Sequence, residues 1–224
     1  MTYIVNLNAL AGGLFIIAAF GILATRQIRA CLKLFILQSL LLAASALLLG
    51  LSPFSIHLMA VAAINLVTKV FFLPWLLRRL LNEEVYTRRE ISQAITIPSA
   101  LLIALVLTIG AYFFSLSWVE TASAASAIRI NVPIGLAGLL IGALTLTTRR
   151  EAVSQLLGLL AMENGAFFAG IAIAQGLPLI AELALAFDVL VLIFVAGVLT
   201  RAVHERTGST AVGRLSSLRE EPHE

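Results

Sequence analysis

The chain carries little chemistry of its own. Of its 224 residues one is cysteine and three are histidine. Cys31, being alone, excludes an internal disulfide, an iron–sulfur cluster and any zinc or nickel site built from thiolates of this chain. His57, His204 and His223 are scattered without metal-ligand spacing, and no glycine-rich phosphate loop is present. Charged residues make up only 12% of the sequence, too few to cover the surface of a soluble domain of this size. The sequence therefore predicts no catalytic, metal or cofactor site, and any redox chemistry must belong to a partner.

What is present is apolar. The chain is 60% hydrophobic with a mean hydropathy of +1.03. Apolar runs of about 20 residues recur, each long enough to cross a bilayer core as a helix. They predict seven spans, at approximately 4–25, 29–50, 56–80, 92–115, 130–148, 152–175 and 178–203. The expected class is an all-α integral membrane protein.

Basic residues sort between the spans. Arg26, Arg29 and Lys33 mark the first connection, and Arg78, Arg79, Arg88 and Arg89 the third. Arg149 and Arg150 mark the fifth, and Arg201, Arg206, Arg214 and Arg219 follow the last span. Thirteen of the 15 Lys and Arg thus fall on one side, leaving Arg129 opposite and Lys69 inside a span. The positive-inside rule makes the rich side cytoplasmic, with the N-terminus outside and the C-terminus inside. The sequence pI near 9.5 then reports topology, not nucleic-acid binding. No basic segment precedes the first span, so it reads as a retained helix.

The spans suggest two copies of one three-helix unit, 1–80 and 130–204, running in the same direction. Residues 81–129 join them through a charged connector (81–91) and a linking span. A loop at 116–129 is expected to be flexible, with Trp118 as an interfacial anchor, and 205–224 forms a polar tail. In the second spans Leu37-Gln38-Ser39 aligns with Met162-Glu163-Asn164. In the third, Asn65 aligns with Asp188 and Arg78 with Arg201; Thr25-Arg26 has a counterpart at Thr148-Arg149. Where the second copy holds carboxylates, the first holds amides, which can hydrogen-bond but cannot carry a proton. Chance divergence from an older duplication is the plain alternative.

Deep polar residues are the candidate functional groups, because charge inside a bilayer is expensive and usually marks an ion path or proton relay. Glu163 and Asp188 each lie 13 residues from a cytoplasmic arginine, hence roughly 20 Å deep. Lys69, nine residues from Arg78, is roughly 14 Å deep; it either reaches the carboxylates or snorkels to the cytoplasm. These three form the candidate relay, with Gln38, Asn65 and Asn164 as secondary polar groups. The bland reading of Glu163 is a carboxylate that ties helices together. For Gln38 and Asn65, helix–helix hydrogen bonding is the favoured role.

At these residues the chain resembles a known family. NLVTKVFFLP around Lys69, LLAMENGAFF around Glu163 and ALAFDVLVLIFV around Asp188 look like component E of hydrogenase-4 and of related formate hydrogenlyase complexes. Each three-span unit is also similar to the small K component of NADH–quinone oxidoreductase and to the matching small component of multisubunit cation/proton antiporters. By resemblance Glu163 takes the place of the K component's second-helix glutamate, and Asp188 that of its third-helix acid. The resemblance implies a bacterial or archaeal inner-membrane subunit that helps couple proton or sodium movement to redox chemistry elsewhere. As partners it implies antiporter-like large subunits, a membrane protein like the H component of NADH–quinone oxidoreductase, and peripheral hydrogenase-like subunits.

Two other classes stay open: a self-sufficient secondary transporter and a passive scaffold. Transporter sites usually sit where helices break near the midplane. Pro74 does align with Gly197, but each lies four residues before an arginine, roughly 6 Å from the cytoplasmic edge. A kink near a helix end is expected there. Pro98 is expected more than a turn inside the linking span.

Overall fold

A computed structural model describes residues 2–51, 54–80, 91, 93–121, 126–173 and 197. Among them the chain is all-helical, without a β-strand. The helices are α1 (Thr2–Ala24), α2 (Ile28–Leu51), α3 (Ile56–Asn65), a π-helical segment (Leu66–Phe72), α4 (Leu73–Leu80), α5 (Ile97–Thr121), α6 (Ser126–Thr148) and α7 (Ala152–Ile173). Since α3, the π segment and α4 are continuous, six helical stretches are long and apolar enough to cross a membrane. The architecture is that of a multi-pass membrane protein. The expected seventh span lies outside the described residues save Gly197, and the tail and most of the 81–91 connector lie outside them too.

The helices begin where local chemistry allows. Ser55 sits in extended conformation before α3 and accepts from the Leu58 N–H through its side chain, the usual N-terminal cap. Thr96 precedes α5, and its backbone carbonyl accepts the first bond, from Ala100 N–H. This moves the start of the fourth span from the expected 92 to Ile97. Pro98 is therefore in the first turn, where its missing N–H costs nothing, and not deep in a span. Pro133, by contrast, lies inside its helix, two turns into α6.

The expected loop at 116–129 is also corrected. Helix α5 continues to Thr121 and α6 already begins at Ser126; residues 122–125 lie outside the described set. Threonine, alanine and serine tolerate helix, so the polar residues Thr121 and Ser126 do not stop it where hydropathy falls.

Packing is set by α6 and α7, the closest helix pair. Glycines on each let the backbones touch: a Cβ built on Gly165 would lie 2.1 Å from the Leu139 nitrogen, and one on Gly142 2.3 Å from the Met162 nitrogen. Small residues of this kind are how membrane helices gain contact without a hydrophobic driving force. Helices α1 and α6 run side by side in the same direction, because Asn8 meets Asn131 near their starts and Arg149 meets residues 22–25 near their ends. Helices α2 and α7 likewise run together, with Leu32 near Leu157 at one end and Ala46 near Ile171 at the other, in shared clusters.

Arg149 differs from the expected topogenic charge. It is 2% exposed. Its Nη2 donates to the carbonyls of Ile22 (2.8 Å), Leu23 (3.1 Å) and Thr25 (2.7 Å). Burial lowers the guanidinium's pKa from its ordinary value, but an arginine stays protonated in proteins. The last carbonyls of α1, the negative end of its dipole, compensate the charge. Arg149→Met should therefore destabilise the protein by about 1.5–3 kcal/mol, the range for a hydrogen bond to a charged group, read from the midpoint of denaturant unfolding in detergent. Arg150→Met, at the exposed neighbour, should change it by less than about 0.5 kcal/mol.

Candidate functional site

Lys69 sits in the middle of the π-helical segment, and Pro74 explains why that segment is there. Proline has no N–H, and its ring clashes with the carbonyl four residues back. The chain widens before it, so that the Leu73 N–H reaches back five residues to the Thr68 carbonyl. The irregularity thus extends seven residues from Leu66 to Phe72 and carries Lys69 at its centre, where the sequence predicted a shallow kink. Widened turns of this kind often mark functional sites.

The widened turn points Lys69 inward. Its Nζ lies 3.1 Å from Glu163 Oε2, both side chains being 2% exposed. The same Nζ donates to Asn164 Oδ1 at 3.0 Å and stands 4.8 Å from the centre of the Phe167 ring, within cation–π range. Of the two routes open to Lys69, reaching the carboxylate or snorkelling, the structure takes the first. Glu163 is eleven residues from the start of α7 and ten from its end, so the pair sits at mid-span.

The secondary polar groups join this cluster. Asn164 Nδ2 donates to Ser39 Oγ at 2.9 Å and, at 3.5 Å, to Gln38 Oε1. Asn65 Nδ2 donates to the Ser39 carbonyl at 2.8 Å, tying α3 to α2. Gln38, Ser39 and Asn164 are all 0% exposed. Gln38 Nε2 is buried with no hydrogen bond, an unused donor beside the charged pair. Five groups that the sequence placed on three separate spans, Gln38, Asn65, Lys69, Glu163 and Asn164, are therefore one cluster. Asp188 lies outside the described residues.

A second polar cluster was missed. Asn8 Nδ2 donates to Asn131 Oδ1 (2.6 Å), Asn131 Nδ2 to Ser45 Oγ (3.1 Å), and Ser45 Oγ to Asn8 Oδ1 (2.5 Å). The three side chains close a ring between α1, α2 and α6, each 0% exposed. A signal for it existed: Asn8 and Asn131 are 123 residues apart, the same interval as Thr25 to Thr148.

Chemically the central cluster places one amine and one carboxylate, the two groups that can hold a proton, within hydrogen-bond distance of each other, among amides that hydrogen-bond but cannot carry one. Among the described residues no group of histidine, cysteine and carboxylates could hold a metal.

Comparison with known proteins gives an informative relative. The chain is 35% identical over 211 residues to the "Uncharacterized protein Rv0085" of Mycobacterium tuberculosis, covering 94% of each chain. It belongs to that protein's family. Only 13 of the 224 residues fall outside the alignment, so every apolar span of about 20 residues overlaps it. No protein-family model and no solved structure matches the chain.

Proposed function

We propose that this protein is a seven-span subunit of the membrane arm of a complex like hydrogenase-4 or NADH–quinone oxidoreductase. There it helps move protons, or sodium, as redox chemistry proceeds in partner subunits. Those partners would be antiporter-like large subunits, a membrane protein like the H component of NADH–quinone oxidoreductase and peripheral hydrogenase-like subunits, in a bacterial or archaeal inner membrane. Glu163 and Asp188 are the titrating groups, and Lys69 is their counter-charge or the next relay member.

The observation that carries this reading is the Lys69–Glu163 pair, 3.1 Å apart and buried at mid-span. Replacing a buried ion pair by apolar groups is often neutral or stabilising, so such a pair is weakly explained by stability alone. Intramembrane ionisable residues are functional by default. The two-copy reading is supported by contacts between aligned positions. Asn8 bonds Asn131 across an interval of 123, and Ser39 bonds Asn164 across 125, the interval that aligns Gln38 with Glu163.

The test is Glu163→Gln in the native complex. The amide keeps size and hydrogen bonding, so the complex should still assemble, if in smaller amount, while pumping per assembled complex falls by about a hundredfold or more, the low end of what a positioned proton-transfer group contributes. Unchanged pumping would make Glu163 structural. One observation favours the lone transporter: the π-helical interruption reaches mid-span, where transporter sites lie. Isolation of the tagged protein from its native membrane decides between the two, because co-purified large subunits exclude the lone transporter.

Orientation has its own test. In a Cys31→Ala background, Ser123→Cys should react with an impermeant maleimide added outside intact cells. Thr87→Cys should react only once the inner face is exposed. The reverse pattern overturns the proposed topology.

A further inference from the structure

The two buried polar clusters are separated by very little. On α2, Ser39 of the central cluster and Ser45 of the ring are six residues apart, about 9 Å along the helix. On α7, Phe168 lies one turn beyond Asn164 toward the ring. On α1, Phe15 lies two turns from Asn8 toward the centre. Their rings meet, with centroids 4.6 Å apart and planes tilted by 35°, and both are 0% exposed. Leu42 and Ala43 complete the layer, in the same apolar cluster. The Phe15 ring is seated on a glycine: a Cβ on Gly138 would come within 2.6 Å of its Cε1.

The other side of the centre is different. From Gln38 back to Ile28, the start of α2, ten residues or about 15 Å of helix intervene. This interval is filled by Phe35, Leu32 and Cys31 from α2 and by Leu160 and Leu157 from α7, all buried in one cluster. Among the described residues, then, a single aromatic layer divides the centre from the ring, which itself lies six residues short of the end of α2 with Ala46 and Leu49 buried beyond Ser45. Several apolar layers, with no polar cluster among them, divide the centre from the opposite end.

We infer that the central ion pair communicates with the membrane face on which α1 begins, by way of the Asn8–Ser45–Asn131 ring, and that the Phe15–Phe168 stack is the gate between them. Hydrophobic constrictions close by excluding water. While the rings stack, no water file joins the clusters. When they part, a proton crosses as hydronium, and no bond of the chain changes. The inference rests on the proton-relay reading of Glu163 and adds the face with which that site exchanges. If α1 begins outside, as proposed, that face is the periplasmic or extracellular one.

The experiment reads accessibility, not pumping. In full-length protein with Cys31→Ala and Ser39→Cys, silver ion is applied to one face of oriented vesicles. It replaces the thiol proton, which leaves to water, and blocks later maleimide labelling in denaturant. Labelling of Thr2→Cys identifies the face on which α1 begins. With the stack intact the site should react slowly from both faces. Phe168→Ala or Phe15→Ala should speed reaction from the α1-start face by about tenfold, which corresponds to about 1.4 kcal/mol off the barrier, and leave the other face unchanged. Leu157→Ala, a comparable deletion in the thicker layer, should open neither face. Should an alanine variant lose the wild-type elution volume in detergent, Phe168→Val is read in its place by the same criteria.

No acceleration in a folded variant, or acceleration from the opposite face, overturns the gate. So does equal opening by Leu157→Ala. None of these outcomes touches the relay reading, which stands or falls on pumping by Glu163→Gln.

Discussion

Lys69→Ala is expected to destabilise the protein by about 3–5 kcal/mol, the usual loss when one partner of a buried ion pair is removed. The loss has three sources. Glu163 keeps its place in a low-dielectric interior without the ammonium 3.1 Å away, Asn164 Oδ1 loses its donor, and the Phe167 face loses its cation. The second change Glu163→Gln should restore most of the stability, because a neutral amide has no charge left uncompensated. Glu163→Gln alone should also be destabilising, since it strands the ammonium. The non-additivity of the cycle, measured by unfolding in detergent, is the expected signature. Simple addition of the two losses would mean that Lys69 is compensated elsewhere, Asp188 being the first alternative. Lys69→Ala with Asp188→Asn is then the cycle to measure.

Gly165→Ala should be nearly as damaging for a different reason. Its new methyl would lie 2.1 Å from the Leu139 nitrogen and 2.5 Å from the Gly138 carbonyl carbon. Both are backbone atoms, so neither can swing aside and the helices themselves must separate. Overpacking in a core typically costs about 1–3 kcal/mol, and this contact lies at or beyond the upper end. Gly13→Ala and Gly170→Ala provide the contrast, since a Cβ at either meets nothing within 4 Å. Alanine favours helix over glycine by about 0.5–1 kcal/mol, so these two should be neutral or slightly stabilising. If Gly165→Ala unfolds at the same denaturant concentration as Gly13→Ala, the close approach of α6 and α7 is wrong.

The interhelical contacts explain why neighbouring residues have such different expected effects. Glu163 and Gly165 are two residues apart on α7, one meeting Lys69 and the other the backbone of α6. Helix α7 is thus held on two sides, and it buries more of itself than any other described span. The rigidity of its α6 face fixes the direction from which Lys69 must approach. This is a physical reason for the charge to reside on a widened turn of a neighbouring helix.

Some of this was legible in the chain. Span positions follow from composition alone, because an apolar run of about 20 residues has one low-energy state in a bilayer, a helix with every backbone group paired. That rule does not depend on neighbours, so six spans match the sequence expectation in existence and roughly in extent. The depth of Glu163 and Lys69 follows from the same rise per residue. The ends were less certain, since TASAASA carries no strong helix stop and helix simply continued through Thr121. Pro98, expected inside the linking span, falls in the first turn because that helix begins about a turn past its hydropathy edge, and Pro133 lies inside α6 because that helix begins about a turn before its own.

What only the tertiary structure decided is which residue faces which. Membrane helices that are apolar on every side carry no stripe to mark the inward face, so hydropathy fixes depth and leaves rotation about each helix axis open. Rotation is what brings Lys69 to Glu163, what closes the ring of Asn8, Ser45 and Asn131, and what stacks Phe15 on Phe168. It also turned Arg149, which sequence counting assigned to the membrane surface, into a buried cap on the end of α1. These pairings join residues some 94 to 153 positions apart or reach across three helices. They are set by where glycines let two backbones touch and by the need of each buried polar group for a partner, conditions that the assembled bundle satisfies and no single span can express.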